Sequence, residues 1–448
     1  MKILAKIIIV FLIAISLSQV SNAVELVTEA DIKALKDKTE IFKLSNGIPV
    51  IYRQETSSDI IHLAVSFDWA LKDQKSGTKT LPDIVMSLLT MGSKSYPQEK
   101  LYEIVEKYSL VLGCAASIDR SSCHFETIND HFEKNISLLS SSIMEPSFSE
   151  KDLKNIVDKA VAAKKSEIGS PDYAVNQAVN KIYYDKAHPY VLDAESAINE
   201  FNSYQREDLV KGHKELLNAD RISMAIVTSL PIKTVKRILE KEFSSLKSTP
   251  HTRNVVDYPA SSKESISVVE RDIPTAYIKV KIPAPNMTAK ESSASRLLFE
   301  ILSEEMALEI RTKRSLSYAA YAYTGQGQIG LGVFSISTPK PKESLDVLAS
   351  ILNRLKTEKF ADEIFEEYKR TFATGYFLSQ ETHSSMTTML LKSYYYTGDV
   401  DYVYELPKKL QQVKASDVQE LAKKILKDFK VGVLGKKSQV NSGLGSIL

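Results

Sequence analysis

Two periodicities alternate along this chain, and they come round in the same order twice. Phe42 to Arg53 reads as a hairpin around Asn46-Gly47, a dipeptide suited to a two-residue turn. Ile60 to Trp69 alternates apolar and polar residues as a strand, and Leu81 to Met91 then carries apolar residues at helical spacing. Leu110 to Thr127 is a second hairpin, turning near Ile118-Asp119. Helices over about 131–144 and 149–168 follow, the latter opened by Ser149 with Asp152 three residues on, in the manner of a capping box.

The second half echoes the first. Phe148-Ser149-Glu150-Lys151-Asp152-Leu153 is matched by Phe360-Ala361-Asp362-Glu363-Ile364-Phe365, Tyr183-Tyr184 by Tyr394-Tyr395, and Asp208-Leu209 by Asp417-Val418, at offsets of 212, 211 and 209. Each late helix leads to a closing apolar strand, Met224-Ala225-Ile226-Val227 or Val431-Gly432-Val433-Leu434. Ordered matches at nearly constant offset predict two homologous repeats, residues 24–245 and 265–448, joined by a linker over 246–264 with little apolar periodicity. Strand pairs interrupted by long helical stretches predict an α+β fold in which each repeat is an antiparallel or mixed β-sheet covered on one side by α-helices.

The first residues fit neither pattern. Lys2 and Lys6, the apolar run from Ile7 to Leu17, and Ser21-Asn22-Ala23 before Val24 read as a signal peptide over residues 1–23, too short for a comfortable span, and no later stretch is apolar enough to cross a membrane. Its two lysines account for the formal charge of +2, so the exported protein is balanced, which gives no support to a nucleic-acid or anionic-membrane partner. Composition is ordinarily globular, with 43% hydrophobic and 25% charged residues in 448. Counting outward from Ile118-Asp119 sets Cys114 and Cys123 opposite each other at a non-hydrogen-bonded pair, where side chains approach most closely. In an oxidising compartment they read either as a disulfide or as two small buried thiols.

Metal ligands are scarce. The seven histidines (His62, His124, His131, His188, His213, His251, His383) are scattered, none closer than His124 and His131, so no H-x-x-E-H helix exists, and two cysteines nine apart make no zinc finger. Gly325-Gln326-Gly327-Gln328-Ile329-Gly330 fits G-x-G-x-x-G, yet the alternating run Leu331 to Ser337 comes after it where a dinucleotide site needs a helix; it reads as a hairpin turn.

The segment Ser45-Asn46-Gly47-Ile48-Pro49-Val50, the strand from Ile60, and the helix ending in Met91-Gly92-Ser93 together resemble the pitrilysin/insulinase-type (inverzincin) zinc peptidases. In that family the helix carries H-x-x-E-H, and a glutamate about 80 residues on completes the metal site. The resemblance places Asp83 and Ser87 at the histidine positions, Met86 at the base and Ala163 at the distant glutamate, with Glu167 one turn beyond. Zinc needs the two histidines and the base, so none is expected in this chain.

A second family pattern, R-T-x-x-x-L-x-Y, is intact as Arg311-Thr312-Lys313-Arg314-Ser315-Leu316-Ser317-Tyr318. The resemblance makes Arg311 and Tyr318 substrate-binding residues, an arginine for a carbonyl or carboxylate and a tyrosine hydroxyl for a developing oxyanion. Taken without the family, Arg311 balances a helix C-terminus and Tyr318 is one of 21 tyrosines. Arg314 is the weaker candidate, and His188 in His188-Pro189-Tyr190 is structural. The combination implies a non-catalytic subunit of a heterodimeric periplasmic metallopeptidase that hydrolyses peptides or unfolded polypeptides, the zinc lying in an H-x-x-E-H-bearing paralogous partner. The alternative is an inert peptide-binding or assembly scaffold of the same fold.

Overall fold

The computed structural model describes residues 27–259, 263–438 and 444–446. The signal peptide expected over 1–23 lies outside the described residues, among which no helix is long and apolar enough to cross a membrane. Eleven described strands form two sheets. The first joins β1 (Thr39–Lys43), β2 (Pro49–Gln54), β3 (Ile60–Phe67), β4 (Val111–Ala116), β5 (Ser121–Ile128) and β6 (Ile222–Thr228) in the order β1-β2-β6-β3-β5-β4. The second joins β7 (Ile266–Glu270), β8 (Ala276–Pro283), β9 (Ala319–Gln326), β10 (Gly330–Thr338) and β11 (Lys430–Gly435) in the order β7-β11-β8-β10-β9.

The two orders superimpose, β2-β6-β3-β5-β4 on β7-β11-β8-β10-β9, with β1 as an extra edge. In both sheets the closing strand inserts beside the opening one, and this is the parallel pairing, β2 with β6 and β7 with β11; the others are antiparallel. The closing apolar segments Met224–Val227 and Val431–Leu434 are thus the strands that pair back with the opening strand of each half.

Five helices frame the candidate site and the seams between the halves: α1 (Leu81–Leu89), α2 (Glu150–Ile168), α3 (Pro171–Tyr183), α4 (Ser292–Met306) and α5 (His383–Thr397). Strand alternation sends Val50, Leu63, Val65, Phe125 and Ile226 to the face that packs on α1 and its neighbours, and Ile278, Val280, Phe334, Val431 and Val433 to the face that packs on α4 and its neighbours. Each sheet thus has its own helices on one side.

The opposite faces exchange helices. Met386, Leu390 and Leu391 of α5, in the second half, lie on Ile51, Ala64, Ala225 and Val227 of the first sheet. In return α3, from the first half, lies on β7, β11 and β8 of the second sheet. There Lys279 donates to Asn176 at 3.0 Å and Lys281 to Asn180 at 2.5 Å, so both buried ammonium groups are satisfied by amide oxygens of α3. Close approach requires Gly432, where a Cβ would lie 2.5 Å from Val179 N and 2.7 Å from Val175 O.

The segment read as a linker is tied down. His251 Nε2 meets Asp68 Oδ2 at 2.7 Å, and Tyr258 donates to the Ala284 carbonyl at 2.8 Å. Asp68, at the end of β3, also accepts from Tyr395 of α5 at 2.8 Å, with Lys72 at 3.5 Å and Arg253 at 3.6 Å, and these cations together with His251 hold its carboxyl below the usual range against the cost of burial. Asn46-Gly47 sits in a five-residue loop, Leu44 to Ile48, rather than a two-residue one; Gly47 has φ +90 and Asn46 Nδ2 reaches the Phe243 carbonyl at 2.9 Å. Leu44 N donates to the Ile48 carbonyl at 3.0 Å and Gly47 N to the Leu44 carbonyl at 2.9 Å, so the backbone itself closes the turn.

Candidate functional site

α1 begins at Leu81 with Pro82 in its first turn. Met86, at the position of the general base, is wholly buried in the first core. Asp83 and Ser87, one turn apart, share the partly exposed face of the helix. Burial, assisted by Glu200, pushes the Asp83 carboxyl up to about 6, with Lys164 opposing. On α2, Ala163 points to solvent, and its neighbour Lys164 is the residue near enough to act on Asp83; Lys164 is paired with Glu167 at 2.8 Å. One carboxyl, a hydroxyl, a thioether in the core and a lysine do not fit zinc. Among the described residues no group of three or more His, Cys, Asp or Glu side chains is placed to hold a metal ion.

Beside α1, the β4–β5 hairpin turns at Ser117–Arg120, with Ser117 N donating to the Arg120 carbonyl at 2.9 Å. Cys114 and Cys123 pair across it and are joined by a disulfide.

Arg311 and Tyr318 meet in the second half. α4 runs straight into a π-helical turn over Ala307–Thr312, and Arg311 lies near its end. The wider turn and Ser315, at φ 50, redirect the chain into β9 within a few residues. Two contacts to β10 fix this corner: Ser317 Oγ donates to the Ser337 carbonyl at 2.7 Å, and Thr338 Oγ1 to the Leu316 carbonyl at 2.7 Å. The Arg311 guanidinium lies over the Tyr318 ring, 4.6 Å from its centroid. Tyr318 is 83% exposed. The Arg311 side chain has no carboxylate partner among the described residues, so its donors face solvent.

Its neighbours are spoken for. Glu309 pairs with Lys313 at 2.7 Å and with Arg314, whose Nη1 also donates to the Glu309 carbonyl at 2.9 Å. These two cations pull the Glu309 carboxyl down to about 2. Arg314 is therefore a strut of the turn, while Arg311 makes no ion pair among the described residues. His188 is buried, with Nε2 3.1 Å from the Asp257 carbonyl and Nδ1 accepting from Tyr190 N at 3.1 Å, a structural post. The glycine-rich run forms the β9–β10 turn, with Gln326 opposite Gly330.

Two residues next to this site are not predicted by the sequence. Tyr321 and Tyr323 of β9 are 39% and 48% exposed, and their rings are stacked with centroids 6.3 Å apart. The alternation Ala319 to Tyr323 is plain in the sequence; which face stays open depends on where α3 ends.

Comparison with known proteins places this geometry. Residues 203–372 match the family described as "Peptidase M16 inactive domain", and residues 81–189 match "Insulinase (Peptidase family M16)". The chain is similar to the "Zinc protease PqqE" of Helicobacter pylori, 19% identical over 406 residues (87% of this chain and 91% of that protein). It is also similar to the "Non-peptidase homolog YmxG" of the same organism, 18% identical over 395 residues (85% and 88%). Among solved structures, a peptidase M16 inactive domain from Pseudomonas fluorescens has a TM-score of 0.80 at 16% identity, covering 89% of this chain and 98% of that one. The periplasmic protease PqqL from Escherichia coli has 0.77 at 13% identity, covering 90% of this chain and 46% of that one. At such identities the structural likeness speaks for the fold. Two matched segments spanning both halves, on the fold described above, establish the chain as a member of the insulinase (peptidase M16) family.

Proposed function

We propose that this chain is the non-catalytic subunit of a two-chain zinc peptidase, exported to the periplasm, that binds the substrate peptide with Arg311 and Tyr318. The observation that carries the reading is the exposed pair itself: a guanidinium with no anionic partner among the described residues, held over a solvent-facing tyrosine by a turn whose other cations are already paired. Its counterpart is the first half, where Asp83, Met86, Ser87 and Ala163 cannot hold zinc. Zinc on an H-x-x-E-H-bearing partner would supply the activated water. Arg311 would then donate to a peptide carbonyl and the Tyr318 hydroxyl to the oxyanion developing on the scissile carbonyl, a contact that strengthens in the transition state. The periplasmic location of PqqL supports the compartment.

The test is to assay this chain, its H-x-x-E-H paralogue and their mixture on an internally quenched peptide. Turnover confined to the mixture is the expected result. Turnover by this chain alone, or full turnover by the paralogue alone, refutes the proposal, and the second outcome would leave the inert scaffold.

A further inference from the structure

We infer that the open face of β9 is a side-chain subsite that selects extended peptides carrying aromatic or large aliphatic residues at every second position. The inference rests on the proposed role of Arg311 and Tyr318 and adds the substrate class.

Register fixes the face. Tyr321 lies opposite Ser335 and, one strand further, Lys279; Tyr323 lies opposite Val333 and then Lys281. Directly opposed residues share a face of a sheet. Lys279 and Lys281 meet Asn176 and Asn180 of α3, so this is the face that α3 covers. α3 packs chiefly on β7, β11 and β8, and Tyr184, just past its C-terminus, comes close to Tyr323, while Tyr321 and Tyr323 on β9 stay 39% and 48% exposed. On the other face of the same strand, Ala320 and Ala322 are buried against α4. What remains open is therefore a short wall at the sheet edge whose large side chains are two tyrosines.

The spacing selects the occupant. Side chains on one face of an extended peptide recur at about 6.8 Å, twice the strand rise. The Tyr321 and Tyr323 centroids are 6.3 Å apart and the rings are tilted by only 18°, so they present a two-step ladder of matching pitch. Tyr318 and the unpaired Arg311 stand just before the strand, offering donors to a backbone carbonyl or terminal carboxylate. A chain anchored there and running along β9 would lay alternate side chains on the two rings. Aromatic or large aliphatic groups gain from that contact by burying apolar area against the rings.

The experiment is fluorescence anisotropy of the mature chain with three labelled peptides, alternating serine with phenylalanine, with lysine, or with glycine. Wild type should bind the phenylalanine peptide about tenfold more tightly than the glycine peptide. The double variant Tyr321→Ser/Tyr323→Ser should lose that preference and bind the glycine peptide as before. Tyr321→Phe/Tyr323→Phe, which keeps both rings, should retain it. Arg311→Ala should weaken all three peptides alike. If Arg311→Ala weakens them and the double serine variant keeps the preference, the subsite is refuted while the grip stands. If the preference disappears in the double serine variant and Arg311→Ala changes nothing, the grip fails and the subsite stands. Failure of wild type to bind any peptide, or a loss in the phenylalanine pair equal to that in the serine pair, overturns the inference.

Discussion

The seam where α5 crosses the first sheet should weaken in mild acid, and His62 sets the size of the effect. His62 of β3 is 3% exposed, its ring centroid is 5.3 Å from that of His124 on β5, and its buried Nδ1 has no hydrogen-bond partner among the described residues. His383, at the start of α5, sits close by with Nδ1 2.7 Å from the Ile60 carbonyl. Arg120 adds positive charge beside His124. Burial first, then His124 and His383, hold His62 down to about 4 from its ordinary 6.5. Above pH 6.5 the residue is neutral folded or unfolded, and its contribution is complete. Between 6.5 and 4 the unfolded chain takes up a proton that the folded chain refuses, so stability falls with falling pH by about 1.4 kcal/mol per unit, reaching about 3 kcal/mol. His124 and His213, also held down by burial, add to the same slope, so the useful quantity is a difference. Trp69, the one tryptophan, is buried just after β3 and reports on this sheet. Urea unfolding followed by its fluorescence should show wild type losing about 2–3 kcal/mol more than His62→Gln between pH 7.5 and 4.5. Parallel pH curves for the two proteins would refute the reasoning.

Two further predictions concern how the halves are held. Gly432→Ala puts a methyl against the backbone of α3 and should cost about 3 kcal/mol, seen as faster amide exchange over residues 171–183; unchanged exchange there would contradict the close approach. Removing the disulfide as Cys114→Ala/Cys123→Ala should cost at most about 3 kcal/mol, because the enclosed loop is short, and should lower the urea midpoint reported by Trp69 without abolishing folding; an unfolded double variant would contradict that limit.

Local signals carried much of the architecture. The β4–β5 hairpin could be registered from its turn, which brought Cys114 to Cys123, and the glycine-rich run could be assigned to a turn because a strand came after it. The repeat was readable because paired elements such as Tyr183-Tyr184 and Tyr394-Tyr395 close equivalent helices. The exchange of those helices was not readable: an amphipathic stripe states that a helix has something to cover, not which sheet. The same blindness hid the open face of β9, since Tyr321 and Tyr323 become a wall only where α3 stops. The segment expected as a linker carries a different kind of signal. Its polar residues lack periodicity because they are held one by one, His251 and Arg253 at Asp68, Tyr258 at Ala284. At α2, counting by spacing reached Ala163, while helix rotation turns Lys164 toward Asp83.

The most direct measurement of the central claim is turnover and zinc content of the two-chain mixture with wild-type, Arg311→Ala and Tyr318→Phe forms of this chain. Tyr318→Phe removes one hydroxyl from an exposed side chain, so it should lower kcat on the order of 100-fold, with zinc in the partner unchanged. Arg311→Ala should raise KM as well. Wild-type rates from both variants would show that the pair does not touch the reacting peptide, and the account would fail.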